Sequence, residues 1–269
     1  MSNSHEISNA FLAAAVETVL KAGEIQIARL GAGFRVDRKG RGDIVTEVDL
    51  EVEGMFRATM AQRFPGHSLL AEESAQTCPV GGAKHRWLFD PIDGTVNYAH
   101  GLPFFCASLA LEVEREIEVA AIYDPSRREL FTAERNRGAW LNAQRIHVST
   151  VDRLEDATLG TGFPHGASVR VRPMENLLSE YGVRARAIRR LGSAALDLCY
   201  VASGRMDGFW DRNLKPWDTA AGTLIVREAG GMVTALDGGP FSCESGSTLA
   251  SNGRIHDEML SVVRMVKVT

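Results

Sequence analysis

Two aspartates three residues apart, Asp90 and Asp93, interrupt the segment WLFDPIDGTVNY (87–98), one on each side of a Pro–Ile pair and directly behind an apolar run. Burying one carboxylate is costly, and a second beside it adds repulsion. The proline is expected to stop the strand after Asp90 and turn the chain so that both acids reach one point. Three further segments carry acids at strand ends or helix starts: GDIVTEVD (42–49, ending at Asp49), LLAEES (69–74, with Glu72 and Glu73) and KPWDTAAG (215–222, with Asp218). Singly, each has a plainer reading. Asp49 and Asp218 suit the first turn of a helix, where a carboxylate meets the positive end of the dipole, and Glu72 with Glu73 suits a solvated strand end. If Glu72, Asp90, Asp93 and Asp218 converge, four negative charges share a small volume that only cations make stable. Every candidate ligand in these segments is an oxygen, so Mg²⁺, or Mn²⁺ in its place, is expected rather than Zn²⁺.

Magnesium leaves coordination positions to water and phosphate, so a phosphate seat is expected beside the acids. Gly94 and Thr95 provide one if GTVNYAH opens a helix whose first amides have no helical acceptor. A divalent cation makes water more acidic and offsets charge on the oxygens of an in-line displacement. No Ser, Cys or His stands in the motif as an obvious nucleophile, which favours direct hydrolysis over a phosphoenzyme.

The elements that must position these residues follow from periodicity. The N-terminus reads as an amphipathic helix, and in 49–64 Val52, Met55, Phe56, Met60 and Phe64 recur every three or four residues. Strands are expected at SLLAEE and RWLFD, then an antiparallel meander from Phe104 to Asn142, with DPSRR as one turn. After about residue 150 the pattern becomes βαβα, with helices near 171–181, at SAALDLCYVASG, at WDTAAGTLIVREAGG and from about His256. Two layered halves, 1–150 and 151–269, fit better than one doubly wound sheet. The first would carry most of the acids, the second Asp218 and the substrate-facing residues.

With 269 residues, 45% of them hydrophobic, the chain can bury a substantial core without staples. Four scattered cysteines give neither a zinc knuckle nor a disulfide framework and suit a cytoplasmic protein. The net charge of −4 argues against a whole-domain nucleic-acid footprint, and no stretch reaches the length of a membrane span. One local exception is the set Arg170, Arg172, Arg184, Arg186, Arg189 and Arg190, read as solvated surface and dimer contact, with a nucleic-acid or protein partner patch as the second reading. Trp87, Trp140, Trp210 and Trp217 read as core or pocket wall.

Four ordered blocks, GDIVTEVD, AEES, WLFDPIDGTVNYAHGLPFFCASLAL and GSAALDLCYVASGRMDGFWDRNLKPWDTAAGTLIVREAGG, resemble the inositol monophosphatases, within the lithium-sensitive, magnesium-dependent phosphatase superfamily. The resemblance covers nearly the whole chain. It implies the alternating αβαβα sandwich of the inositol monophosphatase and fructose-1,6-bisphosphatase type, a homodimer, and inhibition by Li⁺. It places Glu72, Asp90 and the carbonyl of Ile92 on one Mg²⁺, Asp90, Asp93 and Asp218 on a second, and a weaker third ion near Glu72. Thr95 and Asp49 look like a relay that, with Glu72, positions the attacking water. RVDRKGRGD (35–43) resembles the family's mobile loop over the site, with Lys39 steering anions. Asp93, Asp218, Asp211 and GSAA, from Gly192 through Ser193 and Ala194, are expected to face the substrate, although the family commonly has glutamate where Asp211 stands. Ala71 replaces the glycine of the usual G-E-E-S and is expected to tighten a turn. The implied substrate is a small polyol phosphate, with myo-inositol 1-phosphate as best guess. Alternatives are fructose 1,6-bisphosphate, histidinol phosphate or phosphoadenosine phosphate, and, in another class, a regulatory RNA- or protein-binding member.

Overall fold

The computed structural model describes residues 2–40, 43–78, 82–163 and 171–266. Helix α1 (Ser2–Arg29) leads into a short antiparallel hairpin, β1 (Val36–Gly40) and β2 (Asp43–Thr46), and then α2 (Glu47–Arg63). The RVDRKGRGD segment is therefore largely paired strand where a loop is expected. Next come β3 (Ser68–Ala71), β4 (His85–Asp93), the short α3 (Thr95–Ala99), and the meander β5 (Cys106–Val113), β6 (Glu116–Asp124), β7 (Glu129–Glu134), β8 (Gly138–Leu141) and β9 (Gln144–Arg145). Seven strands, in the order β3-β4-β5-β6-β7-β8-β9, make the first large sheet; β3 and β4 are parallel and the rest antiparallel.

The second half supplies β10 (Thr158–Thr161), α4 (Val171–Gly182), β11 (Ala187–Arg189), α5 (Ala194–Ala202), β12 (Gly208–Arg212), α6 (Pro216–Glu228), β13 (Met232–Thr234), β14 (Ser247–Ser251) and α7 (His256–Val266). Its five strands run in the order β11-β10-β12-β14-β13.

Side-chain alternation along the strands explains the layering. On β4, Trp87 and Phe89 face a core built with α1 and α2, while Leu88 between them faces the core shared with α5 and α6. On β12, Phe209 faces α5 and α6 and its neighbour Trp210 faces α4 and α7. Each sheet is apolar on both faces and covered on both, giving the layers α1/α2, seven-stranded sheet, α5/α6, five-stranded sheet, α4/α7. This is the alternating αβαβα sandwich. α6 belongs to the second half in sequence and packs on β4 through β8 of the first, so the two halves share their middle layer. Ala71 lies at the end of β3, paired with Phe89 and fully buried in the α1/α2 core. Its methyl group fills core space, and no turn is tightened there.

Candidate active site

β4 carries the Asp pair, and Pro91 does not end it. Asp90 pairs with Ser108 and Asp93 with Cys106, so three steps on β4 oppose two on β5. This is a β-bulge, a position that tolerates proline within a sheet. In a regular strand, residues three apart point to opposite faces. The extra residue resets the alternation and brings both aspartates to one cavity. The Pro91 carbonyl accepts from Gln26 Nε2 of α1 at 2.7 Å.

That cavity, of about 680 Å³, is lined by Glu72, Asp90, Ile92, Asp93, Gly94, Thr95, Gly192, Ser193, Ala194, Asp211 and Asp218. Every proposed site residue except Asp49 is on its wall. Each of the three aspartates, Asp90 and Asp93 buried and Asp218 half-buried, spends one oxygen on a fixed donor. Asp90 Oδ1 accepts from the Ile92 amide at 3.0 Å, Asp218 Oδ2 from the Lys215 amide at 2.7 Å, and Asp93 Oδ2 from Ser193 Oγ at 2.7 Å and the Ala195 amide at 2.6 Å. Among the described residues the other oxygen of each makes no hydrogen bond. Burial, then Glu72 and the neighbouring aspartates, drives the Asp90 carboxyl far above the usual range. Burial, then chiefly Asp93, does the same at Asp218. Asp93 is pushed up to about 6, again mainly by burial, with the Ser193 hydroxyl and the Ala195 amide opposing.

Glu72 is engaged differently. Lys39, from the β1–β2 hairpin, donates to Glu72 at 2.9 Å and to Glu73 at 2.6 Å, so a protein ammonium lies among the acids where a cation is expected. Among the described residues no three His, Cys, Asp or Glu side chains are drawn together at metal-ligand spacing. The donors themselves fit a hard divalent cation: all are oxygens, one oxygen of each aspartate is uncommitted, and the excess negative charge is what such an ion offsets.

Gly94 stands between β4 and α3 with φ +104°, a region open to glycine at little cost. An added Cβ would meet the carbonyl oxygen of Phe104 at 2.9 Å and that of Gly192 at 3.3 Å, so glycine is required by both conformation and contact. The first helical bond of α3 runs from the Tyr98 amide to the Gly94 carbonyl. Thr95 Oγ1 lies 3.0 Å from the Ile92 carbonyl and 3.4 Å from Asp49 Oδ1. Its single proton serves one of these acceptors at a time, so the contact with Asp49 is open when the carbonyl is engaged elsewhere. Asp49 serves two elements: its other oxygen accepts from the Thr46 amide at 2.7 Å and from the Thr46 hydroxyl, closing the capping box of α2. The first-turn role and the contact with Thr95 hold together. Burial pushes Asp49 up to about 6 against the Thr46 hydrogen bonds.

The inositol monophosphatase family model matches residues 8–267. The chain belongs to this family. It is 42% identical over 253 residues to an inositol-1-monophosphatase of Synechocystis, covering 93% of this chain and 87% of that protein. It is 40% identical over 254 residues to the Nus factor SuhB of Escherichia coli K12, covering 93% and 94%. The crystal structure of the extragenic suppressor protein suhB from Bartonella henselae superposes with a TM-score of 0.90 at 39% identity, covering 95% and 98%. As a member of the inositol monophosphatase family, the protein is a phosphoric monoester hydrolase.

On the substrate side the family motif GSAA behaves differently from expectation. Ser193 caps α5, and both its hydroxyl and the Ala195 amide are committed to Asp93. The helix start therefore fixes an acid and leaves fewer amides for a polyol. Asp211 on β12 is buried and raised to about 7 by that burial; its Oδ1 accepts from the Arg212 amide. The arginine cluster is dispersed. Arg184 pairs with Glu180 and Arg186 with Asp156, Arg189 bonds the adjacent Ile188 carbonyl, and Arg190 lines the cavity. Arg170 and the side chain of Arg172 lie outside the described residues. Trp87 and Trp210 are core, Trp217 is cavity wall, and Trp140 is more than one-third exposed. Among the cavity residues that the sequence did not mark as part of the site are Arg190, read there as surface, Asp197, and Gly162 beside Asp211. Asp197 is buried on the inner face of α5 among apolar residues, where it reads as ordinary helix.

Proposed function

We propose that this chain is a Mg²⁺-dependent phosphatase that hydrolyses the monoester of a small polyol, with myo-inositol 1-phosphate the representative substrate. The observation that carries this reading is the trio Asp90, Asp93 and Asp218, each with one oxygen fixed and one uncommitted on a shared cavity wall. With Glu72 and the Ile92 carbonyl they would hold two Mg²⁺ ions, and a weaker third would sit near Glu72. Mg²⁺, when bound, supplies positive charge that acidifies water and offsets charge on the phosphoryl oxygens.

The chain's own residues do the rest. Gly94 and Thr95 present the open end of α3 to the phosphate, and the requirement for glycine at 94 keeps that approach clear. Thr95, backed by Asp49, orients the attacking water and passes on its proton. The Cys106 thiol is buried and raised far above its usual value beside Asp93, which supports water rather than a cysteine as nucleophile. Asp211 accepts hydrogen bonds from substrate hydroxyls. Mn²⁺ in place of Mg²⁺, inhibition by Li⁺, a homodimer and a cytoplasmic location complete the proposal. No helix among the described residues is long and apolar enough to cross a membrane.

A second reading, a regulatory role with RNA or protein, is favoured by the relatives named Nus factor SuhB. The ion pairs that engage Arg184 and Arg186 count against the arginine patch as its surface. Phosphate release from a panel of phosphorylated metabolites, with Mg²⁺ and with chelator, is the test. Mg²⁺-dependent turnover highest on inositol phosphates is expected. Preference for a nucleotide, histidinol phosphate or a bisphosphate would overturn the substrate assignment.

A further inference from the structure

One part of the cavity wall is set by an unusually close approach. β10 and β12 run parallel with Thr161 opposite Trp210, which brings the next residue, Gly162, beside Asp211. A Cβ built on Gly162 would stand 2.0 Å from Asp211 Oδ2 and 3.0 Å from its Cγ. The other cavity glycines meet different obstacles: Gly94 meets backbone, and Gly192 meets the side chains of Arg190 and Asn97. Gly162 lacks the positive φ that would explain glycine on conformational grounds. The missing side chain is therefore a matter of space, and the space is filled by the carboxylate.

Asp211 has little freedom to stand elsewhere. It is 5% exposed, its Oδ1 is held by the Arg212 amide at 2.6 Å, and its Oδ2, the atom against Gly162, makes no hydrogen bond among the described residues. That oxygen is the acceptor left for a ligand. The carboxylate can stand at the wall only if nothing projects from residue 162.

We propose that Gly162 is the positioning residue for Asp211, its bare Cα forming the seat that aims Oδ2 at a substrate hydroxyl and so fixing the preference for polyhydroxylated phosphate esters. This rests on the polyol reading of the cavity given above. A methyl group at 162 turns the Asp211 side chain away and loses a hydrogen bond to a charged acceptor, a change of roughly tenfold in binding. The effect falls on KM, because the hydroxyl contact is the same in ground and transition states.

The test compares native protein, Gly162→Ala, Asp211→Ala and the double variant on two probes, myo-inositol 1-phosphate and phenyl phosphate, which has no hydroxyl to read. Gly162→Ala should raise KM for the inositol ester about tenfold with kcat little changed, and leave phenyl phosphate within about twofold. The double variant should be no worse than Asp211→Ala, since the methyl group has nothing left to displace. Equal losses on both probes, or losses that multiply, would overturn the seat. An independent readout is the Asp211 carboxyl titration followed by ¹³C NMR. Gly162→Ala should move its midpoint from about 7 toward the ordinary carboxylate range as the group swings to solvent; an unmoved midpoint overturns the proposal whatever the enzyme hydrolyses. If the native protein ignores inositol esters while the midpoint does move, the polyol reading fails and the positioning role of Gly162 stands.

Discussion

Replacing Asp93 by asparagine should stabilise the metal-free protein while destroying its activity. Burial raises the Asp93 carboxyl to about 6 from its ordinary 3.8. An acid raised on folding favours the folded state when protonated, and that contribution is lost as pH rises from 3.8 through about 6. At pH 8 the folded chain therefore carries a burden of roughly 3 kcal/mol at this one group, at about 1.4 kcal/mol per pH unit. Asparagine has no charge to bury, and its carbonyl oxygen can keep the Ser193 and Ala195 donors. For 269 residues a melting entropy of roughly 0.6 kcal/mol per kelvin converts the gain to about 5 °C. The assay is thermal melting in EDTA from pH 8 downward, paired with melting in Mg²⁺ and phosphate release. The gain should halve near pH 5 and be gone below about 3.8, Mg²⁺ should stabilise the variant much less than the native chain, and turnover should fall to background. A variant that melts at or below the native protein in EDTA at pH 8 would refute the reasoning, as would a gain that does not shrink on acidification.

Asp218→Asn should likewise abolish most Mg²⁺-dependent turnover with the fold intact by circular dichroism, and near-native activity at low Mg²⁺ would count against its assignment as a ligand. Thr95→Ala should lower kcat by roughly 10–100-fold with KM and Mg²⁺ dependence nearly unchanged. Asp49→Asn keeps an acceptor for the Thr46 amide but presents an N–H group to Thr95, so it should match that loss without unfolding, and the double variant should be little worse than the worse single; multiplying losses would leave Thr95 a mere helix-start residue. His67 accepts from Trp87 Nε1 at 3.0 Å and stacks on His85, and burial with that neighbour lowers it to about 4. Its contribution to stability is present above pH 6.5 and is lost as pH falls toward 4, so His67→Asn should narrow the melting-temperature difference between pH 7 and pH 5.

The sequence by itself determined the residue types of the site and most of the elements around it, while the five-layer order is legible there only through the family resemblance. The acids stand in short motifs at the ends of strands and starts of helices, and their number and type call for cations if the fold brings them together. Consecutive apolar residues on β4 and β12 mark strands buried on both faces, the helical spacing in α2 marks an apolar stripe, and two-faced strands require cover on both sides. Positions governed by one partner across the fold were not legible. The DPID segment reads as a strand stop because proline lacks a donor; only pairing with β5 reveals a bulge that turns both aspartates to one side. RVDRKGRGD is polar and glycine-punctuated, and the pairing of its Lys39 with Glu72 and Glu73 appears only once the segment after β3 is folded beside it. GSAA exposes amides in isolation, and the tertiary structure commits them to Asp93. Arg190 leaves its basic neighbours for the cavity, and Gly162 carries no mark of its position, because space is a property of what approaches from another strand. A motif is written in neighbouring residues, whereas the distance between Gly162 and Asp211 is set by the parallel register of β10 and β12.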